Sequence, residues 1–299
     1  MLTQWKPVIA SVSQRSNLYK MTRLLRPAEK RETRNDNNKI FQHIAKARYI
    51  VLIILATLFL FPFAYLFVLS LASQWRFPAI LPPHLSFVTW LGMFSTQKAL
   101  LRSFILSLAI AGTVAFSVTA LGFVTSRFIA YHRHRRYLLL LAYFPFILSP
   151  VIYAAFIYFY FVKFGLTGNL GGVILGQLIV AYPFSVILFG GYWNERLKAL
   201  EDLVATLGGN ARQTFLRVLV PISKGMLLVC FFQTFLISWF EYGLTSLIGV
   251  GKIQTLTIKV YQYLSEANIY YAALSSCFLM LPPAFLLWIN KKFVFTKLL

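Results

Sequence analysis

Residues Asn194–Lys224 read NERLKALEDLVATLGGNARQTFLRVLVPISK, a polar stretch set between two long apolar runs. Leu200, Leu203, Val204 and Leu207 recur at i, i+3, i+4 and i+7, the spacing that lines one face of a short helix. Glu201 and Asp202 fall in its early turns, where the helix dipole favours negative charge. Gly208, Gly209 and Asn210 suit the left-handed stop that follows a helix. Beyond them Phe215, Val218 and Leu219 form a second apolar stripe, and Pro221 permits only an early-helix or kink position. The stretch therefore predicts a helix, a glycine turn and a second helix, tethered on both sides by apolar segments.

Those flanking segments set the class. The chain has 299 residues, of which 59% are hydrophobic and only 12% charged, against about 25% charged in a soluble domain. Runs of roughly 20 apolar residues, the length a membrane helix needs, number about six and lie near Ile50–Leu71, Phe104–Ala130, Leu138–Val162, Leu170–Trp193, Met226–Gly249 and Tyr270–Ile289. The expectation is an all-α membrane protein embedded in a lipid bilayer, with a transmembrane domain over 47–293 and the 194–224 loop between its fourth and fifth spans. The first run follows about 45 polar residues and carries no small-residue cleavage site, so it reads as a permanent anchor.

The net charge of +21 is distributed as membrane topology requires, and no nucleic acid is needed to explain it. Basic residues cluster before the first span (Lys30, Arg31, Arg34, Lys39, Lys46, Arg48), between the second and third (Arg133, Arg135, Arg136) and at the C-terminus (Lys291, Lys292, Lys297). These alternate segments belong on the cytoplasmic side, which places both termini there. Residues 1–46 read as a basic, disordered tail, and Met21 is an alternative start that would shorten it. Cys230 and Cys277 both sit in apolar runs, and His132 and His134 of YHRHRR have no acidic or thiol neighbour, so neither a disulfide nor a metal site is indicated.

The loop has a further meaning. Asp202 is followed six positions later by Gly208 and nineteen positions later by Pro221, with Phe215 and Val218 between. In that spacing, and through the run ATLGGNARQTFLRVLVP, the chain resembles the EAA loop of ABC importer permeases. The resemblance extends over about Arg48–Lys292, with two departures: the acidic position is Asp202 unless Glu201 takes its place, and Leu203 with Val204 stands where paired alanines are usual. It implies the MetI-like permease fold, with Glu201, Asp202, Gly208, Phe215, Val218 and Pro221 coupling the chain to a separate cytoplasmic ABC ATPase dimer. It also implies a second permease subunit, identical or related, a periplasmic or extracellular solute-binding protein, and residence in a bacterial inner membrane. No cofactor and no catalytic residue is implied. The chain has no phosphate loop of its own: the nearest stretch, Gly249–Ile253, lacks the upstream glycine and the hydroxyl residue. The segments SWFEYG and ATLGG look most like the branch serving polyamines, ferric iron and thiamine.

Three polar residues inside spans are candidates for a solute pathway: Glu241, Gln177 and Gln233. A charge within a span costs about 2.5 to 3.5 kcal/mol, so such residues usually face protein or water. Glu241 reads either as a pathway carboxylate, which would mildly favour a cationic solute, or as a carboxylate bonded locally by Tyr242 or Ser238. The glutamines read as pathway groups or as polar links between helices. Pro145, Pro150, Pro183, Pro282 and Pro283 interrupt three of the spans, as hinges or as fixed bends. Gly172 and Gly176 suit close helix packing. The alternative class is a secondary transporter driven by an ion gradient, which calls for internal repeats and paired intramembrane carboxylates.

Overall fold

The computed structural model describes residues 48–73, 75, 82–95, 98–147 and 150–293. The basic tail expected over 1–46 and the alternative start at Met21 lie outside the described residues, as does Lys297. The chain divides into two units at Ala64. Of the first, the described part belongs to helix α1 (Arg48–Ser70), whose 23 residues make about 34 Å of helix, enough to cross the hydrocarbon core.

The second unit begins with the last turns of α1. A two-strand antiparallel ladder follows, β1 (Ala72–Ser73) with β2 (His84–Leu85), pairing Ala72 with Leu85. Helix α2 (Val88–Ser95) is tied back by Trp90 Nε1, which donates to Ser70 Oγ at 3.2 Å. Then comes α3 (Lys98–Ala130), 33 residues long and the common wall of three apolar cores. Near its start Leu100, Ala111 and Ala115 pack with Phe235, Trp239 and Leu274. Midway Ile110, Val114 and Val118 meet Ile157, Val173, Ala181 and Ile248. Near its end Phe123 joins Phe189, Trp193, Leu197 and Leu219. A helix walled by protein on several sides must be apolar on several sides, which is why α3 shows no single stripe.

The remaining helices are α4 (Arg135–Ile147), α5 (Pro150–Lys163), α6 (Leu170–Gly190), α7 (Glu195–Thr206), α8 (Ala211–Ile222), α9 (Lys224–Trp239), α10 (Gly243–Gly249), α11 (Leu256–Ser265) and α12 (Ile269–Phe293). Among the described residues four helices are long and apolar enough to cross a membrane, α1, α3, α6 and α12, and the pair α8–α9, bent by 74°, gives a fifth only if its two arms are counted as one span. Two of the six expected spans are thus built differently. The span expected over Leu138–Val162 comes as α4 and α5, with Pro150 at the first position of α5, where a missing N–H costs nothing. The span expected over Met226–Gly249 stops at Trp239 and resumes at Gly243 as α10. Pro183, Pro282 and Pro283, in contrast, are contained within α6 and α12.

α3 packs along α6 and α9. It comes close to α6 at Gly122, where an added Cβ would overlap Ser185 Oγ and lie 2.6 Å from Ser185 Cβ. Gly176 does the same for α6 and α10, with Ile248 Cδ1 2.5 Å from an added Cβ. Gly172, expected as its partner in helix packing, instead lies against the Leu166 carbonyl of its own preceding turn.

Candidate functional site

The predicted helix, glycine turn and helix are present. Asn194 caps α7 by accepting from Leu197 N–H at 3.1 Å. Leu197 is buried beside Phe123, Phe189 and Trp193 and anchors α7 to the bundle. The expected stripe begins one turn too late to include it; its position three residues before Leu200 is the signal that would have found it. Trp193 Nε1 donates to Ser126 Oγ on α3 at 2.8 Å and holds the entry to the loop.

α7 ends as its glycines require. Gly208 has φ +79°, and the N–H groups of Gly208 and Gly209 donate to the carbonyls of Ala205 and Val204 at 3.0 and 2.9 Å. Asn210 does not share that left-handed stop. Its backbone is extended, and it opens α8 through a capping box with Gln213. Residues 214–219 of α8 form a π-helical segment. The wider turn fits Pro221, whose ring would clash with the Arg217 carbonyl in a regular α-helix.

Within the second stripe Leu219 is buried and Phe215 and Val218 are half-buried. On α7 the stripe divides: Leu200 and Val204 face inward, whereas Leu203 and Leu207 are 55% and 79% exposed. The two acidic residues divide in the same way. Glu201 turns inward, with Arg127 Nε donating to its Oε1 at 3.0 Å and Arg127 Nη2 to its Oε2, while Asp202 is exposed. This two-toothed pair is the only ion pair among the described residues, and it locks α7 to the end of α3. Glu201→Gln is expected to cost about 1–2 kcal/mol, since Arg127 is partly in solvent. Adding Arg127→Gln is expected to cost little more, so the thermal midpoints of the two single variants and the double variant should show coupling. Independent, summed losses would refute the link.

Elsewhere along α3 the three pathway candidates separate. The break between α9 and α10 is shaped by Glu241, whose carboxylate caps α10. Its Oε1 accepts from Leu244 N–H at 2.8 Å, and its Oε2 accepts from Thr245 N–H at 2.9 Å and Thr245 Oγ1 at 2.7 Å. Neither Tyr242 nor Ser238, the expected local partners, fills that role. Ser238 donates instead to Gln177 Oε1, and Gln177 Nε2 donates to Thr245 Oγ1 at 2.7 Å. Gln177, buried on α6, therefore links α9 and α10 and is tied to Glu241 through one hydroxyl. Gln233 lies exposed on α9 and takes no part in this network.

A helix-capping carboxylate is a structural group first. Glu241→Gln replaces one acceptor oxygen with a donor that Thr245 cannot satisfy, and is expected to cost about 1–3 kcal/mol in thermal stability. An unchanged thermal midpoint with altered solute uptake would return Glu241 to the pathway.

The chain matches no described protein family. A stretch of 105 residues is 23% identical to a ferric transport system permease protein of Haemophilus influenzae, covering 35% of this chain and 16% of that protein. The fold matches further. A chain of a bacterial ABC transporter involved in the import of the acidic polysaccharide alginate superposes with a TM-score of 0.65 at 17% identity, over 85% of this chain and 97% of that one. A chain of the MetNI methionine ABC transporter, in an inward facing conformation, gives a TM-score of 0.50 at 18% identity, over 66% and 95%.

The fold is thus that of the ABC importer permeases, of MetI-like type, in an all-α chain that passes through the membrane several times. The fold expected from the resemblance of the 194–224 loop is borne out.

Proposed function

We propose that this chain is a permease subunit of an ATP-driven importer, forming the path of a small solute across a bacterial inner membrane. The observation that carries the reading is the 194–224 loop: a capped helix pair, ion-paired to α3, that directs Leu203, Leu207 and Asp202 into solvent. Exposed leucines on a rigid helix suit a groove on another protein. That partner is a cytoplasmic ABC ATPase dimer, so ATP is hydrolysed outside this chain. Movement of the partner reaches the spans through the Arg127–Glu201 pair and the buried Leu197 and Leu219.

The same reading places both termini in the cytoplasm and pairs the chain with a second permease subunit. Solute arrives from a binding protein on the outer face. Of the loop residues, Asp202 and Gly208 stand at the docking surface, while Glu201, Phe215, Val218 and Pro221 shape and hold it. The relative named for ferric transport bears one of the solute classes of the polyamine, ferric iron and thiamine branch and supports that reading.

The test is recovery of the gently solubilised chain, wild type and Gly208→Arg, with co-purifying proteins identified by mass. A P-loop ATPase retained by the wild type and lost from a folded Gly208→Arg variant supports the reading. A wild type that supports uptake without any ATPase would end it.

A further inference from the structure

A cavity of about 680 Å³ opens beside the first turns of α3, lined in part by Arg102, Ser103, Lys252, Gln254 and Lys259. It lies about 38 Å along α3 from Arg127, at the other end of the bundle from the 194–224 loop. Among the described residues no carboxylate lines it. The side chains of Arg102 and Lys252 make no ion pair and no hydrogen bond among the described residues; Lys252 bonds only through its backbone N–H, to the Gly249 carbonyl at 2.9 Å. Lys259 donates to Gln262 Oε1 at 2.8 Å, and Glu266 is reached only beyond that amide, from Gln262 Nε2 at 2.8 Å.

The cations are held by a fixed frame. Ser107 Oγ on α3 accepts from Leu256 N–H at 2.7 Å, which pins the start of α11 and brings Lys259, in its first turn, to the cavity. Thr257 Oγ1 donates to the Glu241 carbonyl at 3.1 Å, and Gly168 N–H donates to the Ile248 carbonyl at 2.7 Å just before the Lys252 turn. Gln254 lines the same wall. Its Nε2 donates to the Gly251 carbonyl at 2.7 Å, while its Oε1 is buried without a donor. Three like charges around one cavity repel one another unless an anion lies between them, and a buried acceptor without a partner calls for a hydroxyl.

We propose that this cavity binds an anionic oxygen group, a carboxylate or phosphate that also carries a hydroxyl, through Arg102, Lys252 and Lys259. Arg102 supplies a planar fork for paired oxygens and the lysines supply point charge. The cationic preference drawn from Glu241 rests on a carboxylate that is engaged in capping α10, whereas the charged groups lining this cavity are positive. Two sources offer the chemistry, a dissolved solute and a lipid headgroup. A solute bound here would refine the importer reading on which that arm rests, whereas the site itself needs neither ATP nor a partner.

The test uses the full chain in phosphatidylcholine nanodiscs, titrated calorimetrically with inorganic phosphate and with citrate. Binding that weakens at least tenfold in Arg102→Gln/Lys252→Gln, with the ligand-free thermal midpoint unchanged, and that is restored in Lys252→Arg on the Arg102 background, assigns the site to a dissolved anion. If neither anion binds, but native mass spectrometry finds phosphatidylglycerol on the wild type and not on the double variant, the source is a lipid. No difference between wild type and variant in either experiment overturns the site. Anion binding by a chain that supports no ATP-driven uptake would reject the importer reading and leave the site standing.

Discussion

Gly208→Arg is expected to leave the bundle folded and to reduce ATP-driven uptake more than tenfold. Gly208 sits at φ +79° between α7 and α8, a backbone region that costs a residue with a Cβ about 1 kcal/mol. An added Cβ meets no atom within 4 Å, so the strain is the whole local cost. An arginine would extend from an exposed turn beside Leu207, into the surface proposed to seat the ATPase. Gly208→Ala carries the same strain without the bulk and serves as the control. Uptake measured in membrane vesicles with the partner present should be largely kept in the alanine variant and lost in the arginine variant. Equal uptake in both, with equal recovery of the ATPase, would show that the turn does not face the partner.

The largest structural loss is expected from Gly122→Val. The α3 and α6 backbones meet there across Ser185, and even a single Cβ requires Ser185 to move. Overpacking of this kind costs about 1–3 kcal/mol for a small excess. Valine adds two methyl groups where the Ser185 backbone carbon already stands 3.3 Å from the Cβ, and is expected to fall at or beyond the top of that range. The readout is folded yield and thermal midpoint in detergent. Ser185→Gly in the same chain should recover part of the loss, since it removes the atoms in conflict. A Gly122→Val chain as stable as the wild type would mean that the two helices are not held this closely.

The local signals in the loop were legible because they act over a few residues. The i, i+3, i+4 spacing of Leu200, Leu203 and Val204 places them on one helix whatever surrounds it. The left-handed turn at Gly208 follows from the absence of a Cβ. Asn210 was read with the wrong helix because a residue suited to ending one helix is equally suited to capping the next. Hydropathy located the long spans, yet it did not separate a straight crossing from a broken one. In SWFEYGLTS the apolar content continues through the break, and what stops α9 and restarts α10 is a carboxylate reaching its own backbone three and four residues on.

The sequence by itself determined that this chain lies in a membrane, is helical, and carries a helix pair between two spans, because those properties come from composition and short periods. The tertiary structure alone decided which groups meet. The sequence names no partner for Glu201, Gln177 or Gln233. Folding pairs the first with Arg127, 74 residues away, joins the second to Ser238 and Thr245, and leaves the third exposed. Arg102, Lys252 and Lys259 likewise lie up to 157 positions apart in the chain and share one cavity because bonds such as Ser107 to Leu256 and Gly168 to Ile248 bring their segments together. Charge pairing and cavity formation depend on distances in space, and those were settled by how α3 packs its several faces at once.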